Sequence, residues 1–236
     1  MKQVYLDTFG CQMNVADTDR MELLLFHSGY RRTQEKEDAD LILVNTCSIR
    51  EKAEQKTFSL FGSLKPLKLA NPDLILGLTG CLGQQDGKKL LQRMPYLDFV
   101  MGPDQVDGVA HAIDKVKSNG KSFVWTGFDQ EKTYSIPECS LPKAPGASTF
   151  VNIIKGCDKF CSFCVVPYTR GREKSREPDE LYREIRHLVE YGAKEIILLG
   201  QNVNSYGKRG LKSPIPFHEL LYGVAEISGV QRLRFT

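Results

Sequence analysis

The sequence predicts an α/β protein built from two successive runs of parallel strands and helices. Short apolar segments of strand length alternate with helix-like segments of roughly 10–18 residues, a pattern typical of a parallel sheet covered by helices. A stretch rich in proline and glycine interrupts this alternation at residues 119–148. We therefore predict an N-terminal α/β domain over residues 1–118, a linker over 119–148 and a second α/β region over 149–236.

The first region contains four apolar runs of strand length, at residues 4–7, 41–44, 74–79 and 98–101. A helix is predicted after each of them. In the first helix, Met21, Leu24, Leu25 and Ser28 share one face, and Gly29 follows as a glycine that ends a helix. The predicted linker has one good strand candidate, at residues 123–125.

The second region resumes with a strand at residues 150–154 and a loop that holds three cysteines. Pro178 begins the next helix, because proline is favoured in the first helical turn. Its apolar stripe is formed by Leu181, Ile185, Leu188 and Val189. A strand at 195–200, a helix near 217–227 and a strand at 232–236 follow. These units neither close a barrel nor cover a sheet, so we expect them to belong to a longer protein.

Composition narrows the class of protein. The 236 residues are 41% hydrophobic, which is enough to fill a core. We find no signal peptide and no apolar run near the roughly 18 residues of a membrane span, so a cytoplasmic protein without a membrane partner is expected. The net charge of +3 does not by itself indicate a nucleic-acid partner. The seven cysteines, an odd number, favour metal ligands or catalytic thiols over a disulfide framework.

Three of these cysteines lie close together in the sequence CDKFCSFC, as Cys157, Cys161 and Cys164. This spacing lets one loop surround an iron–sulfur cluster, whose four irons normally take four thiolates. One iron would then remain open to a small molecule. A structural zinc site is the alternative, although such sites usually have two cysteine pairs or a fourth ligand. Buried thiols without a ligand role are a further alternative.

Three other cysteines each follow a predicted strand, namely Cys11, Cys47 and Cys81. They are separated by 36 and 34 residues, about one strand–helix–strand repeat each. Because parallel strands have their carboxyl ends at one edge of the sheet, where α/β proteins bind ligands, we expect these thiols to meet in space. A second three-thiolate cluster site is the prediction; small buried side chains at strand ends are the alternative. Cys139, in the linker, is given no role.

The cysteine motif with the aromatic Phe163, placed after the first strand of a β/α run, resembles the signature of radical S-adenosylmethionine (SAM) enzymes. The two three-cysteine sets together resemble the methylthiotransferases of that group. The segments that carry the resemblance are TFGCQMN, NTCSIRE, TGCLGQ, KGCDKFCSFCVVPYTRGRE and LLGQNVNSYG. They are most similar to the branch that modifies N6-isopentenyladenosine at position 37 of tRNA.

This resemblance implies a Rossmann-like N-terminal domain followed by the first units of a partial (β/α)6 radical SAM barrel. It implies two 4Fe-4S clusters, one held by Cys11, Cys47 and Cys81 and the other by the CDKFCSFC cysteines. One SAM would donate a methyl group, and another would supply a 5′-deoxyadenosyl radical that takes hydrogen from carbon 2 of the base. Contacts to SAM are expected from Phe163 and from Gly200, Gln201 and Asn202.

The expected partners are a tRNA anticodon stem-loop carrying N6-isopentenyladenosine and a reductase or flavodoxin-type electron donor, with the protein itself a monomer. RNA contact is predicted for the basic, aromatic segment that follows the cysteine loop, through Tyr168, Arg170, Arg172 and Arg176. The acidic residues nearby allow the alternative of a solvated mixed-charge surface.

Other functions remain open from the sequence. A related methylthiotransferase could act on threonylcarbamoyl-adenosine in tRNA or on an aspartate of a ribosomal protein. An iron–sulfur electron carrier without enzymatic activity would also use clustered cysteines.

Overall fold

The fold is that of a computed structural model, which describes residues 1–129 and 146–236. The chain divides into two compact units, Met1–Phe128 and Asp129–Thr236. Cys139 and most of the proline-rich segment lie outside the described residues. The α/β class predicted from the alternation of strands and helices is confirmed.

A six-stranded parallel sheet forms the centre of the first unit. Its strands are β1 (Lys2–Phe9), β2 (Tyr30–Arg32), β3 (Leu41–Thr46), β4 (Ile75–Gly80), β5 (Phe99–Met101) and β6 (Phe123–Trp125). Their order across the sheet is β2-β1-β3-β4-β5-β6. The strand β2 is added on one side of β1, and β3 to β6 are added on the other side. The boundary between β1 and β3 is therefore the switch point of the strand order, where open α/β sheets bind ligands.

Helices cover both faces of this sheet. They are α1 (Gln12–His27), α2 (Glu51–Ala70), α3 (Cys81–Arg93) and α4 (Val109–Asn119), with a short 3-10 helix at Pro103–Gly108. Every residue of β3 and β4 is buried, as expected for central strands of a sheet with two covered faces. One core packs around Leu41, Leu43 and Phe99, and the other around Ile42, Leu76 and Phe61.

The boundary of the first unit differs from the sequence-based interpretation. Residues 123–125, which that interpretation assigned to the linker, form β6 and pair with β5 at the edge of the sheet. Trp125 and Phe123 pack against the first core, which explains why so short a strand is retained. The prediction also did not include β2, a three-residue edge strand beside β1.

The second unit has its own parallel sheet, of order β11-β10-β7. The strands are β7 (Ser148–Asn152), β10 (Glu195–Leu199) and β11 (Arg232–Phe235), and a small antiparallel pair is formed by β8 (Ile154–Lys155) and β9 (Lys174–Ser175). The helices are α5 (Val166–Thr169), α6 (Pro178–Glu190) and α7 (Phe217–Ala225), with a 3-10 turn at Val203–Ser205.

Helix α6 follows the predicted pattern. It begins at Pro178, and Leu181, Ile185 and Leu188 are buried against the sheet. Gly192, with a φ of 105°, reverses the chain after the helix, a conformation that glycine adopts without strain.

In the part of the chain that the structure describes, none of the helices combines the length and the apolar character that a membrane span requires.

Candidate functional site

The three N-terminal cysteines follow three neighbouring strands of the first sheet. Cys47 and Cys81 come directly after β3 and β4, and Cys11 comes two residues after β1. Phe9 pairs with Thr46, and Thr46 pairs with Gly80, so Cys47 and Cys81 stand one residue beyond the same rung. Since neighbouring strands lie about 4.8 Å apart, the backbone brings all three residues to one short edge of the sheet.

Two of these cysteines lie at helix N-termini. Cys11 is the N-cap residue of α1, and Cys81 is the first residue of α3. Because unpaired N–H groups give a helix N-terminus partial positive charge, both positions are suited to holding an anionic group. Cys47 and Cys81 are buried, and Cys11 is partly exposed.

Gly80 allows the close approach of β4 to β3 at this edge. Its φ of 97° and ψ of −167° lie in a region that only glycine adopts without strain. A Cβ atom there would stand 2.4 Å from both the Asn45 Oδ1 and the Thr46 carbonyl oxygen. The backbone conformation of Gly80 thus allows α3 to begin at Cys81, directly after the end of β4.

A buried polar network, not predicted from the sequence, lies at the strand ends next to the three cysteines. Thr8, Asn45 and Thr79 occupy one rung across β1, β3 and β4. Asn45 is hydrogen-bonded to Asn14 and Thr18, whereas the Thr79 hydroxyl has no hydrogen-bond partner among the described residues. Polar side chains at three neighbouring strand ends were the available signal, because core strands otherwise carry apolar residues at these positions.

The two sets share one chemical feature, a donor set made of cysteines. Within residues 1–129 and 146–236, no three His, Cys, Asp or Glu side chains are grouped closely enough to hold one metal ion. Thiolates are the ligands of iron–sulfur clusters. Zinc also binds thiolates, usually together with a fourth ligand. The chemistry of the donor set at the switch-point edge is therefore compatible with a cluster.

The second set lies in the loop between β8 and α5, at the carboxyl edge of the second sheet. Cys157 is buried and its N–H donates to the Gly171 carbonyl oxygen at 3.1 Å, while Cys161 is exposed and Cys164 partly exposed. Phe160, with a φ of 47°, is the one non-glycine residue with positive φ among the described residues. This strained backbone conformation lies between Cys157 and Cys161 in the sequence. Backbone strain of this kind is often found at functional sites.

Asp158 fastens this loop to its surroundings. Its carboxylate forms ion pairs with Arg172 and Arg209, each at 2.8 Å, and accepts the Glu173 N–H at 3.1 Å. Burial acts to raise the pKa of Asp158, but the hydrogen bonds from Arg209 and from the Glu173 backbone, together with the charge of Arg172, hold it below the ordinary value. The carboxylate therefore stays charged and holds both arginines.

Glu173, whose N–H donates to Asp158, has a buried carboxylate. Burial raises its pKa, and the nearby charge of Asp158 acts in the same direction, although a hydrogen bond with Ser205 opposes them. In the sequence, Glu173 is one of several acidic residues close to the basic segment. Its hydrogen bond with Ser205 joins residues that are far apart in the sequence, so local charge patterns do not predict this burial.

The four residues predicted to contact RNA fall into two groups. Tyr168 is 67% exposed, and the side chain of Arg172 is 47% exposed with its guanidinium 5.1 Å from the centre of the Phe160 ring. Arg170 and Arg176 are buried. Arg176 pairs with Glu184 at 2.6 Å and donates to the Asn152 carbonyl oxygen at 3.0 Å, so it supports the fold and offers no free surface to RNA.

The residues predicted to contact SAM lie at the same edge as the cysteine loop. Phe163 is 92% exposed. Gly200, Gln201 and Asn202 follow the carboxyl end of β10, and the Asn202 amide donates to the Ser205 hydroxyl at 2.7 Å. A Cβ atom on Gly200 would stand 2.3 Å from Ile154, which explains glycine at that position by packing alone.

Comparisons with known proteins agree with this two-part organisation. Residues 3–102 match the model of Uncharacterized protein family UPF0004, and residues 151–229 match that of the Radical SAM superfamily. A tRNA-2-methylthio-N(6)-dimethylallyladenosine synthase of Bdellovibrio bacteriovorus is 46% identical over 234 residues, which are 99% of this chain and 50% of that protein. The synthase of the same name from Chromobacterium violaceum is 48% identical, over 100% of this chain and 53% of its own length.

The chain belongs to the radical SAM methylthiotransferase family. It spans about half the length of the curated relatives that it matches. Among solved structures, the radical SAM methyltransferase TsrM from Kitasatospora setae, described with cobalamin and a [4Fe-4S] cluster bound, matches with a TM-score of 0.55. The match covers 86% of this methylthiotransferase-family chain and 50% of TsrM at 12% identity, so it supports the fold alone.

Proposed function

We propose that the full-length protein containing this chain attaches a methylthio group to carbon 2 of N6-isopentenyladenosine at position 37 of tRNA. The observation that carries this proposal is the presence of two three-thiol sets, each at the carboxyl edge of its own parallel sheet. The relatives support the substrate, since their names specify the 2-methylthio product of the N6-dimethylallyl, or isopentenyl, nucleoside.

Carbon 2 of adenine carries an unactivated C–H bond, which a side-chain base cannot deprotonate at a useful rate. Bound 4Fe-4S clusters would supply the missing chemistry: open iron positions for SAM and for a transferable sulfur, and the electron for SAM cleavage. The role of this chain is to hold them. Cys157, Cys161 and Cys164 would ligate one cluster and Cys11, Cys47 and Cys81 the other.

Around the second thiol set, the chain offers groups for SAM and for RNA. The exposed ring of Phe163 and the backbone of residues 200–202 lie at the edge where SAM would bind. Tyr168 and Phe160 meet edge to face, with ring centres 6.2 Å apart, and Arg172 adds a cation beside Phe160. Exposed rings and an arginine fork are suited to stacking an unpaired base and binding its phosphate.

The proposal extends to partners. We infer that the tRNA anticodon stem-loop is bound by the full-length protein, that a reductase or flavodoxin-type protein delivers the electron, and that the protein acts as a cytoplasmic monomer. Support for RNA as the partner comes from the relatives' names and from the exposed aromatic and basic groups.

The test has two stages. Full-length protein is reconstituted with iron and sulfide without oxygen, reduced and given SAM, and 5′-deoxyadenosine is measured. Nucleosides of tRNA from cells with and without the protein are then compared by mass spectrometry. Loss of the 2-methylthio-isopentenyl nucleoside in cells lacking the protein is expected. SAM cleavage with that nucleoside unchanged would point to the threonylcarbamoyl-adenosine or ribosomal-protein branch, and absence of cleavage would favour an electron carrier.

The RNA contact is tested separately with single variants. Stacking is worth about 1–3 kcal/mol per base, so Tyr168→Ala should weaken tRNA binding by roughly 5- to 150-fold. Tyr222→Ala is the matched control, because Tyr222 is similarly exposed, at 71%, but lies on α7 and not beside the cysteine loop in the sequence. Equal affinities for the two variants would exclude Tyr168 from the RNA interface.

A further inference from the structure

Asn14 is buried in the first turn of α1, directly beside Cys11. It is fully inaccessible to solvent. Its Oδ1 lies 3.3 Å from the Cys11 sulfur and 3.4 Å from the Cys11 backbone nitrogen. The residue is therefore the polar neighbour of one predicted cluster ligand.

The orientation of the Asn14 amide is fixed by Asn45. The Asn45 Nδ2 group donates to the backbone carbonyl oxygen of Asn14 at 2.9 Å and to the Thr18 hydroxyl at 3.1 Å. Turning the Asn45 amide over would place two acceptor oxygens in contact, so its Oδ1 must face the Asn14 side chain, whose Nδ2 donates to it at 2.8 Å. Asn14 then has only its oxygen left to present to Cys11.

Gly10 confines the same amide from the other side. A Cβ atom on Gly10 would stand 2.5 Å from the Asn14 Oδ1 and 2.8 Å from the Asn14 Cβ. The space that a side chain of residue 10 would need is thus occupied by Asn14. Between Gly10 and Asn45 the amide has a single position.

Cys11 requires such a support more than the other two thiols do. Cys47 and Cys81 follow their strands immediately, and the Cys47 N–H still donates to the Phe9 carbonyl oxygen at 2.9 Å. Cys11 stands one residue further from the last rung of the sheet, beyond the backbone pairing of β1 and β3. Its place relative to the other two is set by the turn into α1, which Asn14 holds.

We propose that Asn14, oriented by Asn45, is a positioning residue that keeps Cys11 in place for a cluster shared with Cys47 and Cys81. It presents an acceptor oxygen, not an N–H group, to the Cys11 sulfur. When Cys11 binds iron as a thiolate, its proton is released to solvent, and the Asn14 oxygen then keeps the Cys11 N–H as its donor. The inference rests on the proposed cluster site at the first thiol set.

The experiment measures iron release and does not depend on methylthio activity. Full-length protein with Cys157, Cys161 and Cys164 replaced by Ala is reconstituted anaerobically, so that the first set alone can hold a cluster. The rate of iron loss to a chelator is followed by absorbance. Because loss of a residue that orients a metal ligand typically costs 10- to 100-fold in metal affinity, Asn14→Ala should release iron about tenfold faster or more.

Thr57→Val is the matched control. Thr57 is equally buried, and its side-chain hydrogen bonds in the described part of the chain are with Thr46, at 2.9 Å, and with the Ala53 carbonyl oxygen, not with Asn14 or Cys11. A second variant, Asn14→Asp, keeps the side-chain volume and sets an oxygen against the Asn45 Oδ1, so it should also release iron faster if Asn14→Ala does not fold. In the reciprocal background, with Cys11, Cys47 and Cys81 replaced, Asn14→Ala should leave the rate unchanged.

The outcomes separate the inference from the proposed function. If the parent holds iron and both Asn14 variants release it no faster than Thr57→Val, Asn14 has no positioning role and the proposed function is untouched. If the parent holds no iron at the first set, the cluster site fails and the inference fails with it. The inference is supported if the Asn14 variants release iron faster when Cys157, Cys161 and Cys164 are replaced, but not when Cys11, Cys47 and Cys81 are replaced.

Discussion

Replacing Gly80 by alanine should destabilise the first unit strongly, because two separate costs add at that position. The φ and ψ of Gly80 lie in a region that costs other residues about 1–3 kcal/mol. A Cβ atom would also stand 2.4 Å from the Thr46 carbonyl oxygen, and backbone cannot yield as a side-chain end does. Overpacking of this kind costs about 1–3 kcal/mol more. The free energy of unfolding should fall by about 2–6 kcal/mol, a large part of the ~5–15 kcal/mol of a typical domain.

Gly29→Ala separates the two costs. Gly29 also has a positive φ, of 85°, but a Cβ atom there would meet nothing within 4 Å. This variant should lose only the conformational part, about 1–2 kcal/mol. Urea unfolding can be followed by the fluorescence of Trp125, the single tryptophan of this chain, which lies in β6 of the first unit. Equal losses for Gly80→Ala and Gly29→Ala would refute the collision with β3.

Three further results are expected. Cys47→Ala should abolish methylthio product yet retain SAM cleavage, as measured by 5′-deoxyadenosine; normal product would remove Cys47 from the site. Arg176→Ala should destabilise the second unit by about 3 kcal/mol by leaving Glu184 unpaired, whereas the exposed Arg186→Ala should have little effect in the same denaturation assay. Glu173→Gln should be more stable than the parent at pH 7, since burial raises the Glu173 pKa, and this difference should vanish as the pH falls below about 4.3; a constant difference would contradict it.

The sequence was sufficient to predict the central strands and the positions of the cysteines. Residues 41–44 and 74–79 are continuous apolar runs because both faces of a central parallel strand are buried, and a cysteine follows each one closely. Helix α6 was predicted equally well, since its stripe of Leu181, Ile185 and Leu188 and its first-turn proline are local features.

Features that depend on long-range packing were predicted less well. Residues 123–125 were predicted as a strand, but their pairing with β5 at the edge of the first sheet was not, so they were assigned to the linker. Arg176 was assigned to RNA from its basic neighbours, but Glu184 on α6 and the Asn152 carbonyl oxygen keep it in the interior. The Asn14 and Asn45 pair joins residues 31 apart, and no local pattern announces such a contact.

The most direct test of the account is the iron content of the first thiol set. In full-length protein with Cys157, Cys161 and Cys164 replaced by Ala, we expect reconstitution to leave a cluster of about four irons per chain. Further replacement of Cys11, Cys47 or Cys81, one at a time, should lower that iron by a similar amount in each case. Iron that persists after any one of these replacements would show that the three strand ends do not serve a single site.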